Sequence, residues 1–245
     1  MKVFFEIHQG LPREAPGDNA STRRAFAALT NLPAQPKILD IGCGPGSETL
    51  ELARLTGGSI TAVDIHQPFL ETLKQRAQEQ SVAERITTLN ASMFLLDFEE
   101  QSFDIIWAEG AIYIIGFEQG LRSWKPFLKH QGYMAVSELS WLRSNPPQEI
   151  RDFWSNGYPG MRSISSNLGI IESVGYREVA YFVLPSSSWW NEYYHPLEAR
   201  ITQLRGKYRD NSEALLQLSQ EQKEIDLYRQ YSDYYGYVFY VMQLP

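Results

Sequence analysis

The sequence predicts an α/β protein organised around a mostly parallel sheet, and three observations carry that expectation. An apolar run, Ile38 to Ile41, ends in a glycine-rich turn, Gly42-Cys-Gly-Pro-Gly46. Leu50 and Ala53 and, less regularly, Leu52 and Leu55 follow at helical spacing until Gly57-Gly58 stops the helix. A second apolar run, Ile60 to Val63, then ends on Asp64. Strand, glycine turn, helix, strand and acid together make a unit suited to a nucleoside. Glycine lets the backbone turn sharply and lets a ligand lie against the main chain. A carboxylate at the second strand's tip can take both ribose hydroxyls.

A dinucleotide fingerprint wants a third glycine where Ser47 stands, with a pyrophosphate on the helix N-terminus. Glu48, in the first helical turn, would repel that pyrophosphate. Asp40 adds negative charge where a cationic ligand would gain. The stretch Leu39-Asp-Ile-Gly-Cys-Gly-Pro-Gly46 resembles the first motif of class I S-adenosylmethionine-dependent methyltransferases. Asp64 matches that family's ribose-binding acid. The resemblance covers roughly residues 35–140. It implies S-adenosylmethionine as donor, S-adenosylhomocysteine as product, and a Rossmann-like, mostly parallel seven-stranded sheet with its last strand antiparallel and helices on both faces. It implies cofactor contacts from Asp40, Gly42, Cys43, Gly44, Pro45, Gly46, Asp64, Ile65 and Glu109. Ser92 stands where the family often carries the acid that meets the adenine amino group, with Met93 beside it as an apolar cover or as core. A subgroup related to the ubiquinone/menaquinone biosynthesis type carries stretches like Glu109-Gly-Ala-Ile-Tyr113 and Tyr234-Tyr-Gly-Tyr-Val-Phe-Tyr240.

Composition narrows the class. The chain's 245 residues are 43% hydrophobic, enough for one large α/β domain. A net charge of −7 argues against a broad nucleic-acid-binding surface. Cys43 is the one cysteine, so no disulfide framework forms within the chain, and a cytoplasmic setting fits. The first residues lack the long apolar segment of a signal peptide, and no apolar run reaches membrane-spanning length. His8, His66, His130 and His195 are scattered, so no metal site is expected. The expected partner is a small-molecule methyl acceptor, with no nucleic acid and no membrane; a homodimer is compatible with the sequence.

The remaining elements follow in chain order. Residues 8–20 read as an irregular arm, either a leader or a cover over the cofactor. A helix is expected near Ser21 to Leu32, capped by Ser21 or Asn19. Pro68 suits the first turn of a helix whose apolar face is Phe69, Leu70, Leu73 and Ala77. Strands are expected at 85–90 and 103–108, the second ending at Glu109 and Tyr113 on the sheet's carboxyl edge, where such folds hold their ligands. Phe117, Leu121, Trp124 and Leu128 mark a helix face. A strand at 132–139 leads into Ser140 and Trp141, followed by helices at 150–154 and 164–174. Strands at 176–184 and 235–242 close the chain as an antiparallel pair. The roughly fifty residues between them are too many for a structureless loop and read as an inserted helical cap.

The expected organisation is a single domain, 1–245, with insertions about 143–170 and 185–233 forming a substrate cap. Methyl transfer from a sulfonium is an in-line displacement in which the protein mostly orients and desolvates. Glu109, Tyr113 and Glu138 are the catalytic candidates. His195, beside Pro196, reads as a helix-start residue. Trp141, Trp154, Trp190 and Tyr194 are the candidates for the acceptor's walls; the alternative is that the cap's aromatics close its own small core. Two other functions fit less well: a non-catalytic cofactor-binding protein, and a nicotinamide-dependent oxidoreductase.

Overall fold

The computed structural model describes residues 2–8 and 10–245. Its centre is a sheet of β1 (Lys37–Ile41), β2 (Ser59–Asp64), β3 (Ile86–Asn90), β4 (Phe103–Ala108), β5 (Leu128–Trp141), the short β6 (Arg162–Ser163), β7 (Arg177–Val183) and β8 (Tyr235–Gln243). Seven strands run in the order β3-β2-β1-β4-β5-β8-β7, and β6 pairs with the end of β5. β1 to β5 are mutually parallel, while β8 is antiparallel to both β5 and β7. The order reverses between β1 and β4. In open α/β sheets the crevice beyond the strand ends at such a reversal is where ligands bind.

Ten helices pack around the sheet among the described residues: α1 (Lys2–His8), α2 (Asn19–Ala27), α3 (Ser47–Leu55), α4 (Gln67–Glu79), α5 (Phe117–Trp124), α6 (Gln148–Gly157), α7 (Ile164–Ser173), α8 (Ser186–Trp189), α9 (His195–Lys207) and α10 (Ser212–Tyr231). A π-helical turn, Trp190–Tyr194, joins α8 to α9. Strand periodicity divides the core into two layers. On β1, Ile38 belongs to the cluster that includes α3, α4 and the late helices, whereas Leu39 and Ile41 join α5 and α7 on the other face.

Three boundaries differ from the sequence expectation. The second helix ends at Ala27, and its cap is Asp18, whose carboxylate accepts from Ser21 N at 2.7 Å. Leu128 opens β5 instead of closing the α5 face, because Lys125-Pro126-Phe127 forms a 3-10 turn between them. β5 itself runs on through Trp141, held by the pairing of Trp141 with Tyr235 on β8.

The segment between β7 and β8 is helical and does not stand alone. Tyr208 Oη donates to Glu6 on α1 at 2.6 Å, and Lys207 pairs with the same carboxylate. Arg200 donates to the Glu6 carbonyl at 3.1 Å. The following arm joins in: Gly17 N donates to the Ser188 carbonyl at 3.1 Å, and Ser188 Oγ donates to Asp18. The arm is therefore an ordered part of the molecule, pinned between the sheet's edge and the late helices. No helix among the described residues is long and apolar enough to cross a membrane.

Candidate active site

The glycine turn leaves β1 and enters α3 through three left-handed residues, Gly42, Gly44 and Gly46, with φ of 75°, 49° and 87°. Each does a different job. A Cβ on Gly42 would lie 2.4 Å from Ala111 Cβ, so this glycine lets the β1 and β4 loops close on each other. A Cβ on Gly46 would lie 2.2 Å from Leu73 Cδ1, so this one lets α3 pack on α4. Gly44 lines the crevice, and its N–H donates to Asp64 Oδ2 at 2.9 Å. His66 N donates to Asp64 Oδ1 at 2.8 Å. Two main-chain donors thus fix the carboxylate at the tip of β2, half-buried and facing the crevice. Burial pushes Asp64 above the usual aspartate range, and the His66 and Gly44 N–H groups pull it back.

A cavity of about 250 Å³ lies over this turn. Gly42, Gly44, Pro45, Asp64 and Ile65 form its floor; Ser92, Met93 and Phe94 form one side. Glu109 and Tyr113, beyond the end of β4, form another. Arg13, Glu14, Ala15 and Pro16 of the arm wall it as well. Four apolar side chains on its rim stand open to solvent: Ile65, Phe94, Tyr113 and Ile114. Such a rim is what a bound aromatic base covers.

A second cavity, also about 250 Å³, shares His8, Glu14, Ala15, Pro16 and Tyr113 with the first. Its walls are aromatic: Phe153, Trp154, Tyr158, Trp189, Tyr193 and Tyr237, with Glu221 and Glu224 of α10 among them. The two chambers meet at Tyr113.

Between arm and crevice lies a buried ion cluster. Arg13, 4% exposed, donates to Glu109 Oε2 at 3.1 Å, Glu48 Oε2 at 3.3 Å, Asn19 Oδ1 at 2.8 Å and Glu192 Oε2 at 3.1 Å. Glu109 Oε1 also accepts from Thr22 Oγ1 at 2.7 Å and Trp107 Nε1 at 2.9 Å. Burial pushes Glu48 well above the carboxylate range, with Arg13 opposing it.

Several sequence expectations need correction. Asp40 does not face the crevice. Alternation on β1 turns it beneath α3, where it accepts from Thr49 Oγ1 at 2.5 Å and burial raises it to about 7. Cys43 and Gly46 lie behind the cavity wall, the thiol wholly buried. Both oxygens of Glu109 are engaged, which makes it an anchor for the arm instead of a free base. Glu138 lines neither cavity; it is buried in β5, and burial lifts it to about 8 against the pull of Tyr158. Trp141 stacks edge-on against Tyr235, away from both chambers. Trp190 and Tyr194 are also outside them. Trp190 packs on Tyr194, His195 and Tyr228, under the Arg229 guanidinium; Tyr194 is fully buried, with its hydroxyl donating to Glu224 at 3.0 Å. His195 opens α9 on the surface. Trp154, in contrast, lines the second chamber.

The sequence reading left out Glu14, Glu221 and Glu224, and from the aromatic segment Trp189, Trp190, Tyr193 and Tyr194 it chose Trp190 and Tyr194 as walls where Trp189 and Tyr193 line the cavity. Trp189 and Tyr193 were visible as an aromatic cluster, but the π turn shifts the register between them, so a helical wheel could not separate inward from outward rings. Among the described residues no group of three or more His, Cys, Asp or Glu is placed to hold a metal.

Sheet order, glycine turn and strand-tip acid define the fold of class I S-adenosylmethionine-dependent methyltransferases. Residues 38–132 match the family described as a methyltransferase domain. The chain is 30% identical over 104 residues to methyltransferase GfsG of Streptomyces halstedii, covering 42% of this chain and 37% of that one. It is 43% identical over 118 residues to a 2-phytyl-1,4-naphtoquinone methyltransferase of Trichormus variabilis, covering 47% of this chain and 50% of that one. The chain thus spans half or less of the length of these two relatives. A solved S-adenosylmethionine-dependent methyltransferase of Geobacter sulfurreducens, in complex with S-adenosylhomocysteine, superposes with a TM-score of 0.84 at 21% identity, over 100% of this chain and 98% of that one.

Proposed function

We propose that the protein transfers a methyl group from S-adenosylmethionine to a small organic molecule held in the second cavity. The observation that carries this reading is the pair of chambers meeting at Tyr113, one over the nucleoside turn and one lined with aromatic rings. The residues present fit the donor. Asp64 keeps lone pairs for ribose hydroxyls beyond its two main-chain bonds, and Gly44 leaves room for the nucleoside. Ile65, Met93 and Phe94 offer apolar surface to the adenine, with Ser92 able to reach its polar edge. Asp64, Glu14 and Glu109, set against the guanidinium of Arg13, leave the chamber's lining net acidic, which favours a sulfonium and disfavours a pyrophosphate.

When bound, the donor supplies an electrophilic methyl group already attached to an excellent leaving group. The chain's own work is to orient the acceptor and exclude water, for which well-aligned cases suggest roughly 7–11 kcal/mol. The arm seals one side, and Tyr113 stands where the chambers join. The helices after β5 and before β8 serve as the acceptor's cap in this reading, on one domain. The net charge of −7 supports a small-molecule acceptor over a nucleic acid. A cytoplasmic setting and a homodimer complete the reading, and sedimentation checks the latter.

Calorimetry with S-adenosylhomocysteine and with NAD tests the cofactor, and S-adenosylhomocysteine release across an acceptor panel tests the transfer. Preference for NAD would overturn the first statement. Tight S-adenosylhomocysteine binding without turnover on any acceptor would favour a binding protein.

A further inference from the structure

We propose that the second cavity takes a small organic amine, bound as its ammonium and carrying no anionic group. This rests on the methyl-transfer reading and adds the acceptor's chemical class to it.

The argument begins with the cavity's charge. Its acids are Glu14 from the arm and Glu221 and Glu224 from α10. Its one basic side chain among the described residues is His8, whose Nδ1 lies 3.1 Å from Glu14 Oε2. Among the described residues no lysine or arginine lines the wall, so a carboxylate or phosphate on the acceptor would meet three carboxyl groups and no arginine or lysine partner there. An ammonium meets both favourable environments at once: carboxylates, and the faces of indole and phenol rings.

The approach has the same sign. A groove between α6 and α10 shares Phe153, Gly157, Glu221 and Glu224 with the cavity and adds Glu149 and Asp152 on its outer side. Lys223 is the groove's single base among the described residues. Its ammonium sits 5.9 Å over the Phe153 ring, so a ring of this cavity already faces a cation. Clefts lined by one sign of charge concentrate ligands of the other.

A separate observation marks the cavity as a ligand site. Trp189 is 1% exposed and lines it, yet Trp189 Nε1 has no hydrogen-bond partner among the described residues. A buried donor without a partner is costly, and an acceptor atom elsewhere on the ligand, such as an oxygen beside the ammonium, satisfies it.

The acid pair also gives the amine's proton a destination. An ammonium has no free lone pair, so one N–H bond must break before nitrogen can accept a methyl group. Burial and the neighbouring Glu221 lift Glu224 to about 7, while Tyr194 and His8 pull it down. One proton passes from nitrogen to a Glu224 carboxylate oxygen. The freed pair forms the new N–C bond, and the electrons of the broken S–C bond stay on sulfur.

The test is calorimetry on protein saturated with S-adenosylhomocysteine, using two matched sets: 2-phenylethylamine, 2-phenylethanol and phenylacetate, then propylamine, propanol and propanoate. In at least one set the amine should bind about tenfold tighter than the alcohol, with the acid weakest. The Glu221→Gln/Glu224→Gln double variant should lower the amine to the alcohol's affinity and leave S-adenosylhomocysteine affinity unchanged. If the double variant melts early, Glu221→Gln alone is read for a partial loss of the preference. Equal or tighter binding of an alcohol or acid, no binding by either set, or a preference that survives the variants would overturn the proposal. Failure of S-adenosylhomocysteine to bind would instead overturn the methyl-transfer reading, and the amine preference would then be measured on the free protein.

Discussion

Residues 38–132 and the helices between β7 and β8 hold their functional groups in opposite ways. In the first region, the crevice is made by main chain: three glycines in the left-handed region, two N–H groups on Asp64, and strand ends fixed by the sheet. The core side chains of that region, such as Ile38, Leu39 and Ile41, pack away from the crevice. In the second region, the cavity is made by rings that are also the core. Trp189 stacks on Tyr228 with centroids 4.0 Å apart and touches Tyr194, Tyr235 and Tyr237 as well. A backbone-built site can lose a side chain and keep its shape; a core-built site cannot.

That contrast can be broken by substitution. The largest effect is expected from Trp189→Ala, which removes a ring that is both wall and core and should cost about 3–5 kcal/mol. A melting temperature unchanged from wild type would show that the rings line the cavity without supporting the cap. Gly46→Val comes next. The left-handed backbone and the contact with Leu73 together should cost about 2–5 kcal/mol in denaturant melts. Normal stability with lost cofactor binding would return Gly46 to the cofactor's wall. Asp64→Ala belongs to the other kind. Cofactor affinity should fall by about 1.5–3 kcal/mol in calorimetry, with the melting temperature nearly kept. Equal losses of stability and affinity would erase the distinction between the regions.

A fourth substitution sharpens the comparison through pH. Burial holds Glu138 at about 8, well above an ordinary glutamate. The folded chain keeps this proton after the unfolded chain has lost it, so the folded state binds more protons between about pH 4.5 and 8, and stability falls as pH rises through that window. Glu138→Gln removes this group's share. Its melting temperature should therefore decline less than wild type's across the window, and parallel declines would show that Glu138 is not the group responsible.

The same contrast explains what was legible in the sequence. The β-α-β unit around Gly42 to Asp64 is local: each strand, turn and cap is written within a few residues, so its order and the crevice could be read directly. Asp40 failed for want of one consideration, since alternation along β1 puts it on the α3 face with Ile38. Glu109 was rightly expected at the first cavity, but its role as an anchor was not legible because its partners, Arg13 and Thr22, lie about ninety residues away. The second cavity brings together Tyr113, Trp154, Trp189 and Glu224, from four separate parts of the chain. No spacing rule links such residues. The inward Trp189 and the outer Trp190 are adjacent in sequence, and only packing assigns them their sides.

The arm's fastening has a kinetic consequence. Arg13 is bolted to buried carboxylates on α3 and at the end of β4 and to a partly exposed one on the π turn. A nucleoside leaving its chamber past this wall must first part Arg13 from the buried Glu48 and Glu109, and that separation is expected to be slow because little water reaches these charges as they come apart. Under the proposed methyl transfer, exchange of spent for fresh cofactor is therefore expected to be slower than the reaction itself. Rapid-quench measurements should show a first turnover faster than the steady state. Arg13→Ala should shrink that gap by speeding cofactor release, and an unaltered release rate would show that the nucleoside leaves by another door.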